Sequence, residues 1–250
     1  MEFWQIALLA LVGFASGWIN VLAGGGSLFT VPVMVFLGMP GPMANGTNRI
    51  SIVAQNLFAV GAFRRKGFSD FRLSATLSLA ASIGAYVGAM LGVDLAGEWF
   101  ERTVALTMIA VMILMATGET EKAPPPSERA GKAKNVVLGH ILMVGAGFWG
   151  GFIQIGVGFL IMPILYRVMG LDLVRVNMHK VFIVLIFSAV AFAVFAAKVP
   201  IAWGAGAALG VGTAAGGWLG AHMTIARGAK FIKRAMLAAL AAMAVKLLFF

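Results

Sequence analysis

Two cations stand where cations are costly. Arg49 closes a stretch, Phe3–Asn48, that holds no Asp, Glu, Lys or Arg. Lys180 precedes a second apolar run, Val181–Ala197. The two lie 131 positions apart, as do Pro32 and Pro163. An ionisable group at membrane depth is expensive to desolvate and marks a functional site by default. Two of them at matching places in an internal repeat suit one chemistry above others, the neutralisation of an anion. Arg49 belongs to Asn45-Gly46-Thr47-Asn48-Arg49, behind a Pro40-Gly41-Pro42 turn. That order reads as a helix start, gathering side-chain donors, free N–H groups and a guanidinium fork that fits a planar or tetrahedral oxyanion. The counterpart, Asn177-Met178-His179-Lys180, keeps the cation with less polarity around it. The competing role is snorkelling of both side chains to a headgroup; the polar clusters beside them favour binding.

Gly24-Gly25-Gly26-Ser27 interrupts the first apolar stretch. Three glycines break a helix and let backbone approach a ligand, and Ser27 would cap the segment that follows. The second half offers Ile155-Gly156-Val157-Gly158, which has the permissive backbone without the hydroxyl. A tight turn packed between helices is the plainer alternative. No strand–helix–strand unit surrounds these glycines, so they are not a dinucleotide fingerprint. Gln55, Asn56 and Gln154 are neutral polar groups at depth that either line a cavity or bond neighbouring helices. His140, His179 and His222 are scattered and lack the acidic partners a metal centre needs. No metal site and no cofactor are expected, and no nucleophile–base pair points to an enzyme.

These residues need a membrane scaffold. Apolar residues form 61% of the chain and charged ones 11%, too few to solvate a globule of 250 residues. Phe3–Leu22, Leu73–Val93 and Val181–Ala197 approach the roughly 20 apolar residues of a spanning helix. Long runs without alternation argue against a β-barrel. The net charge of +10 reflects basic loops obeying the positive-inside rule, so nucleic acid is not an expected partner. The early Glu2 does not suit a signal peptide, and Phe3–Leu22 reads as a retained segment.

The expected organisation is all-α and polytopic, with two inverted repeats of about five apolar segments each and short broken or re-entrant helices at the centre. Residues 1–117 would form the first repeat, 118–134 a cytoplasmic linker around Pro124-Pro125-Pro126, and 135–250 the second repeat. Leu28–Leu37 and Phe159–Met169 are too short to cross. Gly84-Ala85-Tyr86-Val87-Gly88-Ala89 parallels Gly216-Gly217-Trp218-Leu219-Gly220-Ala221. Gly84, Gly88 and Gly92, like Gly212, Gly216 and Gly220, read as helix-packing faces. Arg64, Arg65, Lys66 and Arg72 place their loop in the cytoplasm, and Asp94, Glu98 and Glu101 place the next one outside. An odd number of segments per half then inverts the second repeat, as in many secondary transporters.

Gly-Gly-Gly-Ser-Leu before a short Val-Pro segment, then Gly46-Thr47-Asn48-Arg49, resembles the TauE/SafE family of sulfite exporters and related anion permeases. The resemblance covers essentially the whole chain. It implies export of sulfite, a sulfonate or another small organic or sulfur-containing anion across the bacterial inner membrane. The second-half copy lacks the hydroxyl residue common there.

Substrate would sit among Gly24, Gly25, Gly26, Ser27, Thr47, Asn48, Arg49, Gly156, Gly158, His179 and Lys180. Alternating access would come from one repeat rocking against the other. An interior-negative membrane drives an anion outward by about 2.3 kcal/mol per charge per 100 mV, which favours export. A passive anion channel and, further off, a membrane-embedded enzyme remain alternatives. The expected partners are a small anion and the lipid bilayer, with a homodimer left open. Both termini are expected outside. A compartment-sensitive reporter fused after Phe250 should be active on the external side and silent in the cytoplasm. Cytoplasmic activity would overturn the inverted topology.

Overall fold

A computed structural model describes residues 2–23, 27–65, 70–117, 133–223 and 245. These form nine helices and no strand. They are α1 (Phe3–Ala23), α2 (Ser27–Phe36), α3 (Gly41–Arg65), α4 (Phe71–Gly92) and α5 (Gly97–Thr117), then α6 (Val136–Phe152), α7 (Gly158–Pro163), α8 (Leu173–Lys198) and α9 (Trp203–Met223). Windows within α1, α4 and α8 are long and apolar enough to cross a membrane. Most of the linker and the last apolar segment lie outside the described residues.

The short segments expected from sequence are present. α2 has 10 residues, about 15 Å of helix, and carries Pro32 inside it. α7 has 6 residues and ends at Pro163, after which Ile164–Val168 continues as a π-helical turn. Neither helix can stand in lipid alone, and each is wrapped by protein. Leu28, Val31 and Met34 of α2 pack with Phe100, Val104 and Met108 of α5. Ile161 and Leu165 pack with Leu77, Met143, Ile183 and Phe187.

Two helix starts differ from the sequence reading. Asn45–Arg49 and Asn177–Lys180 were expected at helix N-termini; both lie in helix interiors. α3 already begins at Gly41, with Pro42 in its first turn, where a missing N–H costs nothing. α8 begins after Asp172, whose Oδ1 accepts from the N–H groups of Val174 and Arg175 at 3.0 and 3.1 Å. These caps start each helix before the polar cluster, so the backbone N–H groups of the clusters are already used within helices.

The tightest pairings join the two halves. α1 runs parallel to α9: a Cβ at Gly13 or Gly17 would strike the backbone of Leu209 or Thr213, and one at Gly212 or Gly216 that of Ala10 or Phe14. α4 runs parallel to α6 in the same manner, Gly84, Gly88 and Gly92 lying on the carbonyls of Val144, Phe148 and Phe152. Gly147 and Gly151 return the contact to Ala81 and Ala85. The surroundings of Gly220 lie outside the described residues. α4 is also parallel to α8, as the pairs Asp70–Arg175 and Ser74–His179 require. α3 is parallel to α9, with Thr47 against Ala202 and Ile50 against Gly206. α3 crosses α8 in the opposite sense, Gly46 meeting Phe195 while Phe63 lies near Met178 and Phe182.

The glycine stripes are therefore contact surfaces between backbones. Gly88→Val should lower stability by about 1–3 kcal/mol through overpacking against Phe148. Gly145→Ala, which meets open space, should be neutral or slightly stabilising. Thermal unfolding of the detergent-solubilised variants measures the difference. Equal melting points for both variants would contradict the packing.

Candidate functional site

A polar cavity of about 50 Å³ lies at the centre, room for a few waters or one small oxyanion. Both halves line it. α1 contributes Ser16 and Asn20, α2 contributes Ser27 and Thr30, and α3 contributes Asn48, Ser51, Gln55 and Asn56. From the second half come Gln154, Gly158 and Lys180, with Thr213 of α9. No carboxylate is among the described lining residues, and Lys180 is the cation among them. Among the described residues no carboxylate pairs with Lys180; its Nζ lies 4.0 Å from the Met162 sulfur.

Arg49 does not line this cavity. Its guanidinium is fully buried and faces the C-terminal end of α6. Nη1 donates to the Gly150 carbonyl at 3.1 Å and to Gln154 Oε1 at 2.8 Å. Nη2 donates to the Gly151 carbonyl and, at 3.3 Å, to Asn45 Oδ1. Asn45 Nδ2 donates to the Phe152 carbonyl at 2.8 Å. The Phe195 ring covers the guanidinium at 4.6 Å. A helix C-terminus carries unpaired carbonyls and a partial negative charge, which a cation there satisfies.

The motif Gly46-Thr47-Asn48-Arg49 thus points four ways around α3. Gly46 makes room for Phe195 and Ile201. Thr47 Oγ1 accepts from the Ala202 N–H at 3.1 Å, tying the start of α9 to α3. Asn48 faces the cavity and Arg49 faces α6. In the second half Gly156 (φ +71°) shapes the turn that delivers Gln154 and Gly158. His179 turns away from the cavity: its Nδ1 shares a 2.8 Å hydrogen bond with Ser74 Oγ, and its Nε2 lies 3.9 Å from Asp70. Arg175 completes that cluster with a 3.0 Å ion pair to Asp70. Of the residues expected at the site, Ser27, Asn48, Gly158 and Lys180 meet at the cavity. Thr47, Arg49, Gly156 and His179 surround it, and Gly24, Gly25 and Gly26 lie outside the described residues.

Ser16, Asn20, Thr30, Ser51 and Thr213 were not singled out by sequence. A signal was available in helical spacing: Ser16 and Asn20 are four apart, and Asn48, Ser51 and Gln55 follow one face of α3.

The sequence profile of the family described as sulfite exporter TauE/SafE matches residues 9–247. The chain belongs to this family. Proteins named as probable membrane transporters match over most of the chain. A Sinorhizobium sp. protein named "Probable membrane transporter protein ORF9" is 25% identical over 99% of this chain and 94% of its own. A "Probable membrane transporter protein" of Haemophilus influenzae is 25% identical, covering 91% of this chain and 88% of its own. The Escherichia coli "Probable membrane transporter protein YfcA" is 23% identical over 98% and 90%. No solved structure gives a significant match. The chain is a multi-pass membrane protein of a transporter family.

The two cations, 131 positions apart, should respond oppositely to removal. Arg49→Met takes the donor from four acceptors, the Gly150 and Gly151 carbonyls, Gln154 Oε1 and Asn45 Oδ1, and should cost roughly 3 kcal/mol or more. Lys180→Met removes a charge without an ion-pair partner and should be neutral or stabilising. Melting points in detergent at matched lipid content decide this, and equal losses would contradict the assignment.

Proposed function

We propose that the protein is a secondary transporter, an exporter in the inner membrane, for a small sulfur-containing or organic anion such as sulfite or a sulfonate. Membership of the sulfite exporter family supports the substrate class. The observation that carries the reading is Lys180, a cation without a carboxylate partner among the described residues, facing a cavity walled by amides and hydroxyls. A bound anion relieves that cation, and neutral donors complete its hydrogen bonds. Ser27, Asn48, Gly158 and Lys180 are the substrate contacts. Gly24, Gly25 and Gly26, next to Ser27 in the chain, are further candidate contacts. Thr47, Arg49, Gly156 and His179 hold the helices that present them.

The two halves are inverted copies that alternate access to this cavity. The reciprocal pairings support that: α1 with α9 answers α6 with α4, and the α3–α8 crossing is antiparallel. Export follows from the membrane potential acting on an anion, as the charge arithmetic above requires.

Counterflow in proteoliposomes with sulfite, methanesulfonate, acetate and sulfate tests the reading. Saturable, trans-stimulated flux of at least one of these is expected, and Lys180→Gln should weaken its binding about tenfold or more. Linear, non-saturating flux would make the protein a channel. Unchanged binding in Lys180→Gln would remove the anion site from this cavity.

A further inference from the structure

Gln154 sits where a side chain is costly to place. Its φ is +66°, in the left-handed region that non-glycine residues rarely occupy. The turn after α6 uses that conformation to bring its carboxamide between Arg49 and the cavity. A guanidinium has donors and no acceptor, so the amide must give it oxygen. Oε1 indeed accepts from Arg49 Nη1 at 2.8 Å and also lies 3.4 Å from Ser188 Oγ, a second donor. The oxygen is used up on the side away from the cavity. The end of Gln154 that remains is the –NH₂ group, two donors and no acceptor.

Asn48 brings a second amide to the cavity from α3. The single hydrogen of Ser51 Oγ goes to the Asn48 carbonyl at 2.8 Å, with Asn48 Oδ1 3.4 Å from the same hydroxyl. Asn48 Nδ2 is buried and has no hydrogen-bond partner among the described residues. A buried amide N–H without a partner is uncommon in a folded protein and calls for an explanation. Both amides line the cavity that holds Lys180.

We propose that Arg49 is a positioning residue that locks the Gln154 carboxamide with its N–H groups toward the cavity, where Gln154 and Asn48 donate to the substrate anion beside Lys180. This rests on the reading of the cavity as an anion site. It assigns Gln154 a binding role and gives the family-motif arginine a task performed through another residue. It also specifies the ligand's contacting surface at this point: acceptor oxygens without a hydrogen, because Lys180 and the two amide –NH₂ groups all donate there. A carboxylate or sulfonate meets that condition. A ligand that must donate a hydrogen at this point is rejected.

The test uses the full chain and two probe anions, methanesulfonate and acetate, with affinity from isothermal titration and stability from thermal unfolding. Gln154→Glu keeps an oxygen for Arg49 and Ser188 but turns an acceptor toward the cavity. It should melt at or above the wild-type temperature while losing about tenfold or more in affinity. Gln154→Met should lose affinity similarly, and adding Arg49→Lys in that background should lower it no further, since Arg49 acts on the ligand through Gln154. Asn48→Asp gives an independent arm with the same expected loss. Wild-type affinity in Gln154→Glu and Asn48→Asp would overturn the donor assignment while leaving anion transport intact. Additive losses for Arg49→Lys and Gln154→Met would overturn the positioning role. A wild-type protein that binds neither probe nor any other small anion would overturn the transport reading itself, and this inference with it.

Discussion

A helix that ends inside packed protein leaves carbonyls with no water to bond them. α6 stops in this way at Phe152, and the carbonyls of Gly150, Gly151 and Phe152 take their donors from Arg49 and Asn45 of α3. Much of the centre follows from that one clamp. α3 must begin at Gly41 so that Asn45 and Arg49, one turn apart, reach α6 together. Phe195 must lie over the guanidinium, which fixes the end of α8 against α3. Gly46 must be small to admit that ring. The turn beyond α6 then has its direction set, and Gln154 enters the space between clamp and cavity.

The same place in the second half is filled by a lysine, and the difference in chemistry matters. A guanidinium is a flat fork with five donors and can bridge several oxygens at once. Arg49 does so. An ammonium on a flexible stem is a point charge that suits one mobile partner. Lys180 faces the cavity with a thioether as its nearby contact. At two positions 131 residues apart, residue identity divides the cations between holding the scaffold and facing the cavity. His179, one position before Lys180, points to the opposite side of α8, into the cluster with Ser74, Asp70 and Arg175. That cluster ties α8 to α4, so the helix carrying Lys180 is anchored on its far side.

The sequence made the scaffold legible because hydrophobic length and glycine spacing are local signals. The all-helical architecture, the short α2 and α7 and the Gly84–Gly88–Gly92 stripe could all be read along the chain. Helix starts were harder. Asn45–Arg49 looks like a polar cap because polar residues are uncommon inside membrane helices, yet Pro42 and Asp172 start their helices earlier. The partner of Arg49 was not legible at all. It is a set of backbone carbonyls about a hundred residues away, and carbonyls leave no mark in residue type. Anion or helix end, the cation looks the same in sequence. The cavity wall was half-visible: Asn48 and Lys180 stood out, while Ser16 and Thr213 look like ordinary small helix residues until α1 and α9 are seen side by side.

The glycine contacts also constrain how this cavity can open. Each stripe joins a helix of the first half to a helix of the second, α1 to α9 and α4 to α6, with backbone against backbone. Separating the halves as blocks would have to break both stripes at once, and close backbone packing is what associates helices where lipid is as apolar as the side chains. Motion that preserves the stripes carries α1 with α9 and α4 with α6. The cavity wall divides along that line: Ser16, Asn20 and Thr213 belong to the first pair, while Gln154 hangs from the end of the second. Asn48 lies on α3, which packs on α9, and Lys180 lies on α8, which the Asp70–Arg175 pair ties to α4, so the antiparallel α3–α8 crossing is where the two sets meet. Under the transport reading proposed above, rocking of the two mixed sets of helices at that crossing would change the walls of the cavity while both stripes stay packed.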